Sequence, residues 1–181
     1  MHADVLLLGG DYRSKKGGNL DTLFTALSRV YTPYGTFAVM GNHDYGYCYS
    51  EVVEAMQKNH VRLMEHKSYK LMKDGQHIIV SGVRNPFDLK RNGDSPSQHF
   101  PADDFIILLT HTPDYAEDTD VSNANLVLAG HTHGGQVSLF KKIFSGKALH
   151  LWKPFSDWLE REIVKVLRLL LPMDWVLRAL T

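Results

Sequence analysis

Several short apolar runs along the chain break off in the same way. Val5-Leu6-Leu7-Leu8 passes through Gly9-Gly10 into Asp11, and Thr36-Phe37-Ala38-Val39-Met40 passes through Gly41 into Asn42-His43-Asp44. Phe105-Ile106-Ile107-Leu108-Leu109-Thr110 ends at His111, and Leu126-Val127-Leu128-Ala129 passes through Gly130 into His131-Thr132-His133. Short apolar runs closed by turn residues read as buried strands. Between the first two, Asn19 is placed to cap a helix with Leu20, Leu23, Phe24, Leu27 and Val30 on one face, ended by Pro33 and Gly35. Strand, helix and strand at this spacing predict a parallel pair joined by a right-handed crossover.

Ser50 is expected to cap a second helix that buries Val52, Val53 and Met56, with Glu51 favourable near its positive end. Farther on, residues 69–72 and 77–83 read as strands flanking Asp74-Gly75, a hairpin signal. Parallel pairing followed by antiparallel pairing predicts an α/β fold of two packed mixed β-sheets flanked by helices. Residues 84–104 carry Pro86, Gly93, Pro96 and Pro101 and read as a long surface loop or a poor helix.

The pattern changes after residue 139, which divides a core, 1–139, from an atypical helical tail, 140–181. In the tail, Ser156 can cap a helix with Phe155, Trp158, Leu159, Ile163, Val166, Leu167 and Leu170 on one side and Asp157, Arg161, Lys165 and Arg168 on the other. Such a helix is expected to pack on the core, and peripheral contact with a membrane surface is the other expectation.

Composition narrows the function classes. With 181 residues, 44% of them hydrophobic, the chain can bury a core of its own. Twenty basic residues balance twenty acidic ones, so no net positive field points to nucleic acid. Cys48 is the only cysteine, which excludes an internal disulfide framework, and it reads as a packing residue. There is neither a basic-then-apolar leader nor an apolar window long enough to span a bilayer, so the chain as written is expected to be cytoplasmic. The ten histidines direct attention to metal chemistry.

In α/β sheets, ligands gather outside the carboxyl ends of the strands, so Asp, Asn and His at several strand exits converge by topology. These oxygen and nitrogen donors suit zinc, manganese or iron better than calcium. A carboxylate can offer one oxygen to each of two ions, and such a pair can grip both attacking and leaving oxygens in a displacement at phosphorus. Hydrolysis of a phosphate ester by a metal-activated hydroxide is the expected chemistry. Arg13, Lys15 and Lys16 after the first strand, and Arg84, Lys90 and Arg91 in the later loop, are placed to lie near the same face.

Through Gly10-Asp11, Gly41-Asn42-His43-Asp44, His111 and Gly130-His131-Thr132-His133, the chain resembles the calcineurin-like metallophosphoesterases, matching four of the family's five blocks in order. Asn42-His43-Asp44-Tyr45, His111-Thr112-Pro113-Asp114 and Gly134-Gly135-Gln136 resemble most a bacterial branch that is often membrane-associated. The resemblance implies that Asp11 bridges two divalent ions, that Asn42, His111 and His131 complete one site, and that His133 belongs to the other. It implies that His43 protonates the leaving oxygen, with Asp44 near enough to orient it. The implied substrate is a small phosphate mono- or diester or a pyrophosphate, with lipid- and nucleotide-linked forms both open.

Two departures from the family pattern bear on activity. The family's earlier strand ending in Asp-x-His has no counterpart before Asp11, and His2 and Asp4 sit at the wrong end of the first strand to replace it. The tail also stands where further strands are usual. The expectation is therefore a fold truncated at the N-terminus, with one site nearly complete and the other reduced to Asp11 and His133. Its activity is weakened, or the chain is a non-catalytic metal-binding fragment.

Overall fold

The structure, a computed structural model, describes residues 3–13, 19–46, 48–84 and 93–131. Two sheets form its centre. The first holds β1 (Leu6–Leu8), β2 (Thr36–Ala38) and β3 (Val61–Leu63), in that order and parallel throughout. The second holds β4 (Lys67–Lys73), β5 (Gln76–Gly82), β6 (Ile106–Thr110) and β7 (Leu126–Ala129), with β4 antiparallel to β5 and the other pairs parallel. Two sheets are what the hydrophobic pattern predicts; the mixing of strand direction is confined to the second. There the turn between β4 and β5 puts Asp74 at φ 51° and Gly75 at φ 78°, the doubly left-handed backbone that Asp-Gly accommodates.

Strand alternation divides the first sheet's side chains between two cores. Leu6, Leu8, Ala38 and Met40 face a helical layer, while Val5, Leu7, Phe37 and Val39 meet Val80, Ile107, Leu109 and Leu126 of the second sheet. The helical layer is α1 (Leu20–Leu27) and α2 (Tyr49–Lys58), which bury Phe24, Leu27, Val52, Ala55 and Met56. On the outer face of the second sheet, Leu108 and Val127 pack with Val83, Ala124 and Tyr115 of the short α3 (Tyr115–Asp118). Burying a side chain of this kind is worth about 1.5–3 kcal/mol, so the sandwich interface fixes how the sheets stack.

Both helix starts were predicted, and one differs in detail. Asn19 caps α1 as expected, its side chain accepting the Thr22 N–H at 3.0 Å. Helix α2 begins at Tyr49, and Ser50 lies inside it, not at its cap. Cys48 occupies the cap position without a side-chain cap bond; its buried thiol instead donates to the carbonyl oxygens of His43 and Asp44. With Cys48 anchored to the preceding turn, the helix starts two residues earlier than Ser50 as cap would give, and Val52 and Met56 are buried in the core. Of the loop expected over 84–104, Pro96–His99 forms a 3-10 turn. The basic loop at 14–18, residues 85–92, the 139/140 division and the tail helix lie outside the described residues.

Candidate metal centre

The parallel strands of both sheets end at one rim, where two of the exit loops nearly touch. Gly10 takes φ 99°, and a Cβ there would lie 2.5 Å from the Gly41 nitrogen and 2.7 Å from His111 Nδ1. A Cβ on Gly41 would run into Asp11 Oδ1. Only glycine permits this approach of the β1 and β2 exits. Asp44 then ties the two loops together. Fully buried, it accepts the N–H groups of Asp11 at 2.7 Å, Tyr12 at 2.8 Å, Gly41 at 2.8 Å and Arg13 at 3.4 Å. Burial pushes its carboxyl group above the usual carboxylate range, and the N–H groups of Gly41, Asp11 and Tyr12 pull it back. Tyr12 adds a second bolt, its hydroxyl donating to the carbonyl oxygens of Val39 at 2.8 Å and Leu8 at 3.2 Å. Burial, with Asp44 beside it, raises the Tyr12 pKa and keeps the hydroxyl a donor.

Asp11 is aimed by this scaffold. Its Oδ1 accepts the His43 N–H at 2.9 Å, and its Oδ2 lies 3.5 Å from His111 Nε2. His111, only 2% exposed, ends β6 with Nδ1 2.7 Å from the Gly9 oxygen. A carbonyl oxygen can only accept, so Nδ1 carries the proton and Nε2 presents a lone pair. Burial holds the His111 pKa down and favours this neutral ring. That same Nε2 is 3.0 Å from Asn42 Oδ1 and 3.2 Å from His131 Nδ1.

Electron-rich atoms from distant parts of the chain thus face one another. Donor atoms of Asp11, His111 and His131 all lie within 4.8 Å of one another, and Asn42 joins them through His111. Donors held at about 2.0–2.1 Å from a zinc-like ion stand about 3.0–3.4 Å apart along the edges of its coordination shell. Measured from His111 Nε2, the separations of 3.0 and 3.2 Å fall in that range and that of 3.5 Å just beyond it. Asp11, Asn42, His111 and His131 therefore fit a divalent ion. His133, expected at the second ion, lies outside the described residues.

Two positions differ from the sequence-based expectation. Gly130 was expected to supply the turn after β7, but the left-handed residue there is His131, at φ 64°. Gly130 instead extends the sheet ladder, its N–H donating to the His111 oxygen at 3.0 Å. Asp11, at φ 61°, repeats the arrangement after β1. Left-handed backbone is uncommon for residues other than glycine and concentrates where function requires a particular side-chain direction. Asp44 carries work that the sequence does not announce. Both its oxygens are committed to backbone N–H groups, so its position supports the loops that carry Asp11 and Asn42. His43 itself is exposed at the rim, tied to Asp11 by its main chain.

Known proteins resemble this chain over most of its length. A family model described as calcineurin-like phosphoesterase matches residues 1–135. An uncharacterized metallophosphoesterase of Campylobacter jejuni is 30% identical over 143 residues, which cover 76% of this chain and 37% of the relative. The phosphodiesterase YaeI of Escherichia coli is 31% identical over 145 residues, covering 74% of this chain and 50% of its own length. An uncharacterized metallophosphoesterase of Aquifex aeolicus is 29% identical over 139 residues, covering 73% of this chain and 51% of the relative. The chain thus spans about a third to a half of these relatives. No solved structure matches it.

Proposed function

The chain belongs to the calcineurin-like phosphoesterase family, and on that premise we propose that it is a metal-dependent hydrolase of phosphate mono- or diesters or of pyrophosphates. The observation that carries the proposal is the lone pair of His111 Nε2, facing Asp11, Asn42 and His131 at coordination-edge distances. Asp11, Asn42, His111 and His131 would hold one divalent ion of the zinc, manganese or iron class, and His133 would contribute with Asp11 to a second. Held by these residues, such ions would supply Lewis-acid polarisation of the phosphoryl oxygens and a water made nucleophilic near neutral pH.

The chain's own residues do the rest. The Asp44 and Tyr12 bonds hold the exit loops rigid, so that Asp11 and Asn42 need no rearrangement to bind. His43, exposed beside Asp11, is placed to donate a proton to the leaving oxygen. No described helix is long and apolar enough to cross a membrane. Peripheral membrane contact through the tail is part of the same proposal, tested by sedimentation of the full chain with anionic vesicles.

Turnover of p-nitrophenyl phosphate and bis-p-nitrophenyl phosphate with added Mn²⁺ tests the assignment. Hydrolysis should stop on chelation and should fall at least about a hundredfold in Asn42→Ala and His131→Ala. Turnover unchanged in either variant would refute it.

A further inference from the structure

The rim carries a second group of polar side chains beyond the metal ligands. The β2/β3 register pairs Ala38 with Leu63, which puts Glu65 level with Met40, one residue before the Gly41 turn. The β5/β6 register pairs Gly82 with Leu109, which puts Arg84 level with His111 on the neighbouring strand, about 4.8 Å away in backbone spacing. The exits of β3 and β5 touch, because Met64 fills the space a Cβ on Gly82 would occupy. At this junction the Glu65 and Arg84 side chains approach to 4.0 Å, one strand along from the metal ligands.

Glu65 is already satisfied without Arg84. Its Oε1 accepts the Tyr45 hydroxyl at 3.1 Å and its Oε2 the Tyr49 hydroxyl at 2.8 Å, and the two rings stack with centroids 5.7 Å apart. Tyr45 directly follows Asp44, so this platform belongs to the same loop as Asn42 and His43. The Arg84 guanidinium comes no nearer to Glu65 than 4.0 Å, through Nε; its side chain is 51% exposed against 18% for Glu65. Its main chain is fixed, donating to His66 Nδ1 at 3.0 Å. Arg13, also at the rim, is paired with Glu51 of α2. Arg84 is thus a half-exposed guanidinium beside the metal centre, tethered loosely to Glu65 among the described residues.

A planar guanidinium offers two parallel N–H groups that match a pair of phosphate oxygens. We propose that Arg84 forms an anion subsite that grips a second phosphoryl group beyond the scissile phosphorus, so that the centre prefers pyrophosphate-type substrates, such as nucleoside diphosphates, over simple monoesters. This rests on the phosphoesterase reading above. Glu65, held by Tyr45 and Tyr49, positions the guanidinium without neutralising it completely.

The test compares AMP with ADP as competitors of bis-p-nitrophenyl phosphate hydrolysis by the full chain, with free Mn²⁺ held constant. Calorimetric affinities for both nucleotides provide a readout independent of turnover. ADP should bind about tenfold more tightly than AMP, as one bidentate charge-assisted contact predicts. In Arg84→Gln that ratio should collapse to within about twofold, and Arg84→Lys, a point charge without the fork, should fall between. Melting temperature and Mn²⁺ affinity, measured alongside, report whether each variant keeps its fold and metal site. A wild-type ratio near one, or a ratio that survives in Arg84→Gln, overturns the subsite while hydrolysis of the diester still stands. Absence of both hydrolysis and nucleotide binding in the metal-loaded wild type overturns the phosphoesterase reading, and the subsite with it.

Discussion

The two halves of the rim hold their key side chains differently. Both use left-handed non-glycine backbone, Asp11 and His131 on one side and His66 on the other, and close-packed glycines, Gly10 and Gly41 on one side and Gly82 on the other, but on the metal side Asp44 and His111 are buried. On the Arg84 side the key cation is half exposed and loosely paired, and its carboxylate partner is held by tyrosine hydroxyls. A metal ion needs its donors placed beforehand, because any movement to reach it subtracts from binding, and strain is tolerated to achieve that. A substrate group arriving from water can be met by a side chain that moves.

The contrast can be broken most severely at Asp44. Asp44→Ala strips the acceptor from several buried N–H groups and should cost about 3–5 kcal/mol in urea-induced unfolding. A loss near 1 kcal/mol would show that the loops hold together without it. Next comes a pair of glycines that both take positive φ. Gly10→Ala adds a methyl where there is no space and should lower Mn²⁺ affinity at least about tenfold, with a clear fall in melting temperature. Gly46→Ala, with nothing within 4 Å of its added methyl, should cost only the backbone preference, about 1 kcal/mol, and leave Mn²⁺ affinity intact. Equal effects from the two would remove crowding as the explanation.

On the Arg84 side the expected effects are smaller. Tyr49→Phe removes one hydroxyl from Glu65 and should lower stability by about 1 kcal/mol without changing Mn²⁺ affinity. The smallest effect concerns pH. His66 faces Arg84, His99 and Glu65, and burial first, then electrostatic contact with Arg84 and His99, holds its pKa below the usual histidine value. The unfolded chain therefore binds the proton more readily, and stability should fall as pH drops through about 6.5. His66→Gln should flatten that part of a urea-midpoint profile, and an unchanged slope would assign it to other groups.

Much of the metal side is legible in the sequence, because apolar runs closed by glycine and followed by Asp, Asn or His announce strand exits, and topology does the rest. The hairpin at Asp74-Gly75 and the Asn19 cap are local signals and read correctly for the same reason. What escapes is contact between distant segments. Nothing near Asp44 shows that its carboxylate meets the main chain of Asp11 and Tyr12, more than thirty residues away. β3 is three residues long with Arg62 exposed in the middle, too short for alternation to declare itself. Gly130 looks like the turn residue, and only the ladder bond it makes to His111 shifts the left-handed position to His131. Arg84 is placed near the active face by its position in the chain, but Glu65 carries no signal of being its partner.

The central claim is that Asp11, Asn42, His111 and His131 hold a divalent cation at one point. Calorimetric titration of the metal-stripped full chain with Zn²⁺ or Mn²⁺ tests it directly, beside Asn42→Ala and His111→Ala variants with unchanged far-ultraviolet circular dichroism. Saturable binding that weakens at least about tenfold in Asn42→Ala and further in His111→Ala is the predicted result. Binding of equal strength in the wild type and both variants, or none in the wild type, would contradict it.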